Sequence, residues 1–203
     1  MESDTDTDTD TDTDGARRLF GGSFSIALPP QAIDVSDMRQ VPDNQEVFVH
    51  KHTDQSLIVE LLEYQSHVTD AEAAKFHFEE ATQGNEGSGM AGAEVLEVQR
   101  VGHVSLQDCD SIWYLSGRQR VAKFDEQAKN VVHLHLGLFR LPLYTTDILI
   151  TFNDAVTISP LSSSSAADGE GVDGAVGNAQ PWTLEHFQTA IASLRLLNPS
   201  VFC

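Results

Sequence analysis

The chain has 203 residues and a formal net charge of −19, and hydrophobic residues make up 40% of it. This length suits one domain with appendages, and the apolar content is sufficient for a packed core. Residues 1–14 hold seven acids and no base, and the rest of the chain still has 24 acids against 12 bases. An acidic body disfavours nucleic-acid binding, which needs a basic face, and favours a basic protein partner.

The two cysteines, Cys109 and Cys203, lie far apart and match neither a disulfide framework nor a zinc-ligand spacing. They are predicted to be free thiols in a reducing compartment. The N-terminus is acidic where a secretory signal would be basic, and no apolar run is long enough to span a bilayer. We therefore expect a soluble intracellular protein without membrane insertion.

Composition divides the chain into three kinds of segment. The Thr-Asp repeat cannot bury apolar area, so residues 1–18 are predicted to form a disordered acidic tail. Residues 19–203 are predicted to form a single globular domain. Within that domain, the Ser/Gly/Asp-rich residues 154–180 are predicted to form a flexible loop.

The first folded element is a predicted hairpin, "RLFGGSFSIALP". Gly21-Gly22 is read as a two-residue turn, and apolar residues alternate after it until Pro29-Pro30. One helical turn is predicted near Ser36. "QEVFVHKH" alternates again and predicts a strand.

A helix is predicted to begin at Thr53 or Asp54, either of which can cap it, and to include "SLIVELLEY". At 100° per residue, Glu60 and Glu63 share the solvent side. The opposite side, expected to face the core, is formed by Leu57, Ile58, Leu61, Leu62 and Tyr64.

The second half of the chain predicts strands in series followed by a helix. A helix capped by Asp70 precedes strands at about 94–101, 111–122, 131–141 and 146–153, and a last helix spans about 183–197. Phe202 is expected to pack back on the body. Strands without intervening helices favour an antiparallel sheet, with the helices covering its faces. The predicted fold class is therefore α/β: an α/β/α sandwich around a central, mostly antiparallel sheet.

Catalytic motifs are weak in this sequence. "GEGVDG" at residues 169–174 spells a dinucleotide fingerprint, but it lies in a predicted loop without the strand before it or the helix after it. Cys109 lacks a nucleophile motif, and its neighbours Asp108 and Asp110 should raise its pKa. No catalytic residue and no cofactor are predicted.

Two H-x-H pairs lie on predicted strands, His50 with His52 and His133 with His135. The period of a strand puts both imidazoles of a pair on one face. If the two strands were neighbours, four imidazoles could hold a transition metal. Half-exposed histidines on a sheet are the commoner outcome, so no metal site is predicted.

An acidic run leads up to the predicted helix and includes it. Composition alone favours a solvated surface for such a run, while a docking surface for a basic partner is the alternative. The charged positions that belong to it are Asp34, Asp37, Arg39, Asp43, Glu46, Glu60 and Glu63.

Three stretches of the sequence resemble a known family. "LFGGSFSIALPP", "IDVSDMRQVPDNQEVFV" and "DQSLIVELLE" closely resemble the Ran guanine nucleotide release factors, the MOG-type Ran-binding proteins. The match is almost continuous over residues 19–63 and resumes more loosely at "LFRLPLYTTDILITFN", "PWTLEHF" and "NPSVF". Residues 84–110 match poorly.

The resemblance implies a PsbP-like α/β/α sandwich. It implies a monomer that binds the small GTPase Ran, promotes nucleotide release and acts in nuclear transport, in nucleus and cytoplasm. It places the Ran-contact acids at Glu60 and Glu63. The matching upstream motif adds, as further members of the surface, Asp34, Asp37, Arg39, Asp43 and Glu46.

The resemblance also implies a second possible function. The vertebrate form of the family is linked to surface delivery of a cardiac voltage-gated sodium channel. An adaptor that contacts a cytoplasmic loop of such a channel is therefore the alternative to the regulator of Ran.

Overall fold

The computed structural model describes residues 15–83, 92–102, 106–122, 129–157 and 180–202. Most of the predicted tail, most of the predicted loop, its "GEGVDG" motif and Cys203 lie outside these ranges. Within them, no helix is both long and apolar enough to cross a membrane.

The described ranges contain ten strands and two α-helices. Their order is β1 (Arg17–Leu19), β2 (Phe24–Ile26), β3 (Ala32–Asp34), β4 (Gln45–His50), β5 (Ser56–Glu63), α1 (Asp70–Gln83), β6 (Ala93–Val101), β7 (Ser111–Ala122), β8 (Lys129–Leu141), β9 (Thr146–Thr157), α2 (Leu184–Ser193) and β10 (Arg195–Leu196). Short 3-10 turns occur at Val35–Asp37, Pro142–Tyr144 and Pro199–Phe202.

A seven-stranded sheet runs in the order β3-β4-β5-β9-β8-β7-β6, and a smaller sheet runs β1-β2-β10. Every recorded pairing is antiparallel. Successive residues of β9 alternate between two cores: Ile148 and Ile150 join the core under α2, while Leu149 joins the core under α1. The predicted α/β/α sandwich is confirmed.

Two glycines let the helices approach the large sheet. A Cβ atom added at Gly137 would lie 2.6 Å from Cδ1 of Ile191 on α2, and one at Gly117 would overlap the ring of Phe78 on α1. The two positions serve opposite faces of the sheet, so each layer has its own point of close contact.

Replacing Gly137 with alanine is expected to destabilise the fold by about 1–3 kcal/mol, because Ile191 or the helix that carries it must move. Chemical denaturation measures the change. The matched control is Gly102→Ala, where an added Cβ meets nothing within 4 Å. Equal effects of the two substitutions would contradict the close-packing explanation.

The hairpin is confirmed, but its turn is longer than predicted. The last paired residues are Leu19 and Phe24, so four residues connect β1 and β2. Gly21 and Gly22 have φ values of 62° and 87°, a region that glycine enters without strain. The second prediction that holds here is the turn near Ser36, which lies within Val35–Asp37.

The helix predicted from Thr53 or Asp54 is wrong. Residues 56–63 form β5, a central strand that pairs with β4 on one side and β9 on the other. The most deeply buried residues of this strand are Leu57 and Val59, which follow a period of two. Apolar residues in a short run fit either period, and here pairing with two neighbours stabilises the strand.

The other predicted elements need smaller corrections. α1 begins at Asp70 itself, so Asp70 is not its cap, and its carboxylate instead accepts a hydrogen bond from Ser111 Oγ at 2.6 Å. The last helix ends at Ser193, and the next residues pair with β2 as β10. Phe202 stacks on Tyr144 with ring centroids 4.4 Å apart, as expected for a chain end that packs back.

Candidate protein-binding surface

The antiparallel register of β4 and β5 joins the start of one strand to the end of the other. Gln45 pairs with Glu60, and the Leu61 N–H donates to the Asn44 carbonyl at 2.9 Å. Four predicted site residues therefore lie at one end of the large sheet. This acidic sheet end consists of Asp43, Glu46, Glu60 and Glu63.

Glu60 is the half-buried member of the acidic sheet end. Its Oε1 accepts a hydrogen bond of 2.6 Å from Gln45 Nε2. Burial raises the pKa of Glu60, although the bond from Gln45 and the nearby His77 partly oppose this. The hydrogen bond from Gln45 orients this carboxylate, while burial removes part of its hydration. Pairing with a cation is therefore favourable, because the cation replaces the lost contact with water.

Glu63 is exposed and projects from the opposite face of the sheet. In a strand, residues three apart point to opposite sides, so Glu60 and Glu63 do not share a face as the helix prediction required. Alternation puts Glu60 on the α1 side and Glu63 on the α2 side. The two carboxylates therefore lie on opposite sides of β5, near the end of the strand.

Two of the predicted acids hold the fold together. Asp34 accepts a hydrogen bond of 2.8 Å from Arg17 Nη2 and caps the 3-10 turn through bonds from Ser36. Glu46 Oε1 accepts from the backbone N–H of Phe20 at 2.6 Å. These contacts connect the small sheet and its turn to the large sheet. Asp34 and Glu46 therefore stabilise the fold, whether or not they also bind a partner.

Two of the remaining predicted residues, Arg39 and Asp43, line an open groove, whereas Asp37 is not among its lining residues. Asp37, Arg39 and Asp43 are exposed. The groove has a volume of about 830 Å³ and reaches from the 3-10 turn at Val35–Asp37 to the turn between β1 and β2. Its lining includes Arg39, Asp43, Glu46, Leu61 and Val201.

Behind the acidic sheet end lies a buried charged cluster that sequence reasoning missed. Arg140 and Asp147 are 1% and 0% exposed, and Nε of the arginine lies 2.9 Å from Oδ1 of the aspartate. The N–H does not point at that oxygen, so the contact is an ion pair rather than an aligned hydrogen bond. Asp147 Oδ2 also lies 2.9 Å from His77 Nε2, and Asp70 Oδ1 lies 3.6 Å from Arg140 Nη1.

The buried charged cluster contacts Tyr64 and Gln65, the two residues that follow β5. Arg140 Nη2 donates to the Gln65 carbonyl at 2.8 Å, and the Gln65 N–H donates to Asp147 Oδ2 at 3.1 Å. The guanidinium carbon lies 4.1 Å from the centre of the Tyr64 ring. The sequence did contain a signal for this cluster. Arg140 and Asp147 are charged residues at strand positions that alternate with the core residues Leu138 and Leu149, and so face the core.

The two histidine pairs are not neighbours. β5 and β9 separate β4 from β8, so the condition for a four-histidine site is not met. His50 packs against Trp182 at 5.4 Å between ring centroids. His135 Nδ1 lies 2.8 Å from the Tyr114 hydroxyl, and burial lowers the pKa of His135. In the parts of the chain that the structure describes, no three His, Cys, Asp or Glu residues are grouped to hold a metal.

The pKa of Cys109 is raised as predicted, but burial is the main cause, and Asp110 is the flanking acid that contributes. Burial raises the pKa of its thiol to about 11, and the nearby carboxylates of Asp110 and Asp147 add to the effect. The thiol donates to the Ser111 carbonyl at 3.3 Å. A thiol with this pKa is almost entirely protonated at neutral pH and is a poor nucleophile.

These features define the class of protein: an α/β/α domain with an acidic sheet end. The family model described as "Ran-interacting Mog1 protein" matches residues 17–155. The chain belongs to the Mog1 family.

The similarity to known proteins extends over nearly the whole chain. The Ran guanine nucleotide release factor of Danio rerio is 52% identical over 92% of this chain and 99% of its own length. The Homo sapiens protein of the same name is 45% identical over 91% and 94%. The nuclear import protein mog1 of Schizosaccharomyces pombe is 29% identical over 91% and 98%.

The crystal structure of the Saccharomyces cerevisiae Ran-binding protein Mog1p has the same fold. It superposes with a TM-score of 0.67 at 24% identity, covering 93% of this chain and 97% of the yeast chain. The fold expected from the sequence resemblance is therefore confirmed.

Proposed function

We propose that this chain binds the small GTPase Ran and promotes release of its guanine nucleotide, and thereby regulates nuclear protein transport in nucleus and cytoplasm. The observation that carries the proposal is Glu60, a half-buried carboxylate that accepts a hydrogen bond from Gln45, with the exposed Glu63 three residues further along the same strand. Membership of the Mog1 family and the names of its relatives support Ran as the partner. On this proposal the protein is a regulator and not an enzyme.

The acidic sheet end acts first on association. Its carboxylates attract a basic surface over roughly a Debye length, about 8 Å at physiological ionic strength, and so raise the association rate. Glu63, which is exposed, contributes both to this attraction and to the direct contact that follows it. Glu60, which is poorly solvated, contributes mainly after contact, when a cation of the partner pairs with it out of water.

Nucleotide release requires that the chain prefer Ran without its nucleotide. A ligand shifts an equilibrium only by the difference between its affinities for the two states. A carboxylate of the acidic sheet end can provide that difference by competing for the lysine or Mg²⁺ that holds the phosphates. The remaining predicted residues, Asp37, Arg39 and Asp43, are proposed to border this contact.

The experiment that tests this function is the release of a fluorescent GDP analogue from Ran, with and without the protein, at two salt concentrations. Acceleration that falls with salt is the expected result. Glu80→Gln is the matched control, because Glu80 is an exposed acid on α1, outside the acidic sheet end. Failure of the wild-type protein to accelerate release would refute the proposal.

The alternative adaptor function and the monomeric state stay predictions. None of the relatives described above has a name that mentions a sodium channel.

A further inference from the structure

The buried charged cluster has a geometry that stability alone does not explain. Moving two charges out of water costs several kcal/mol per ion, and well-packed apolar residues often serve equally well. Arg140 and Asp147 nevertheless have the core residues Leu138 and Leu149 as neighbours on the same face of the sheet. What an ion pair adds over apolar packing is directed contact with particular backbone groups.

Those directed contacts converge on one residue. Arg140 binds the carbonyl of Gln65 and Asp147 binds its N–H, so both polar groups of this peptide segment are held by the same ion pair. The preceding residue is held as well, since Tyr64 stacks on Arg140 and donates its N–H to the Thr145 carbonyl at 3.0 Å. Gln65 thus has the fixed position of a strand residue, although β5 ends at Glu63.

We propose that Arg140 and Asp147 are positioning residues for partner binding, which hold Glu63 in its binding position through the backbone of Tyr64 and Gln65. This inference rests on the proposed function. Glu63 is exposed at the end of a strand, where backbone normally frays and a carboxylate loses its direction. Clamping the two residues after it removes that freedom before the partner arrives, so less ordering entropy is lost on binding.

The link between α1 and the surface follows from the same contacts. Asp147 also pairs with His77, and Arg140 approaches Asp70. Both members of the clamp, which is the Arg140–Asp147 ion pair, therefore contact α1. The helix thereby supports the end of the sheet that carries Glu63.

A double-mutant cycle on Ran tests the proposal. Arg140→Lys keeps the charge but loses the forked geometry, and it is expected to reduce the rate of GDP-analogue release about tenfold in the wild-type background. In the Glu63→Gln background the same substitution should change the rate less than about twofold, because there is no carboxylate left to position. Equal losses in both backgrounds would overturn the inference. Arg118→Lys, on an exposed ion pair with Glu94, is the control that should change neither.

Hydrogen exchange of the isolated protein gives a second, independent measurement. In Arg140→Lys and in the milder Tyr64→Leu, which keeps the ion pair, the amides of residues 64 and 65 should exchange faster while those of α2 are unchanged. A uniform change across the protein, or none at residues 64 and 65, would contradict the clamp. If the wild-type protein does not act on Ran, the proposed function fails, whereas exchange still decides whether the clamp exists.

Discussion

Replacing Glu60 with glutamine is expected to reduce Ran binding about tenfold or more while making the free protein more stable at neutral pH. Glutamine keeps the shape of the side chain and a hydrogen-bond partner for Gln45, but it removes the charge that a basic partner needs. Loss of one member of a desolvated charge pair typically costs 2 kcal/mol or more, or about thirtyfold in affinity. Titration of Ran into each variant measures the loss.

The gain in stability follows from the direction of the pKa shift. Burial raises the pKa of Glu60 in the folded chain above its ordinary value of 4.5. Ionised Glu60 therefore disfavours folding once the pH exceeds the raised value, and this penalty disappears as the pH falls below the ordinary value. The melting temperature of Glu60→Gln should exceed that of the wild type at pH 7, and the difference should shrink towards zero at acidic pH.

Glu63→Gln is the matched comparison for Glu60→Gln. Glu63 is exposed, so its substitution should weaken association and reduce its salt dependence with little change in the melting temperature. The prediction fails if Glu60→Gln melts below the wild type at pH 7, or if it binds Ran with unchanged affinity. The first result would mean that the charge of Glu60 stabilises the fold, and the second would mean that Glu60 is not a binding residue.

Replacing Asp147 with alanine is expected to destabilise the fold by about 3–5 kcal/mol, the largest effect on stability that the structure predicts. The substitution leaves the buried Arg140 without its closest anion and removes the partner of His77 and of the Gln65 N–H. Breaking a buried ion pair from one side costs this much because the remaining charge stays out of water. Denaturation by urea measures it.

The exposed ion pair between Arg118 and Glu94 is the control for that prediction. Both side chains are about half exposed, and their closest atoms lie 2.7 Å apart. Glu94→Ala should cost no more than about 1 kcal/mol, because the freed charge is solvated. Similar losses in the two variants would show that burial is not the origin of the effect.

The strands from β6 to β9 could be predicted because each is long and rich in apolar or β-branched residues. The antiparallel sheet followed from their order, since no helix separates them. The acidic surface was predicted from charge and from the family resemblance. The position of this surface at one end of the sheet could not be predicted, because the position depends on the register in which β4 pairs with β5.

The buried charged cluster shows a second reason for incomplete prediction. Its members come from α1, β8 and β9, far apart in the chain, and only the packing of α1 on the sheet brings them together. A charged residue in an apolar strand signals that a partner exists, but it does not identify the partner. Gln65, the residue that this cluster holds, gives no signal in the sequence, because its contacts with Arg140 and Asp147 use only its backbone atoms.

The order of residues was sufficient to establish the acidity of the domain, its sandwich architecture and its resemblance to one family. It was not sufficient for "SLIVELLE", where apolar residues fit a helix and a strand equally well. Pairing with β4 and β9 determines the strand, because those backbone bonds come from residues distant in the chain. That pairing separates Glu60 from Glu63, so one is a desolvated carboxylate on the α1 side and the other an exposed carboxylate on the α2 side.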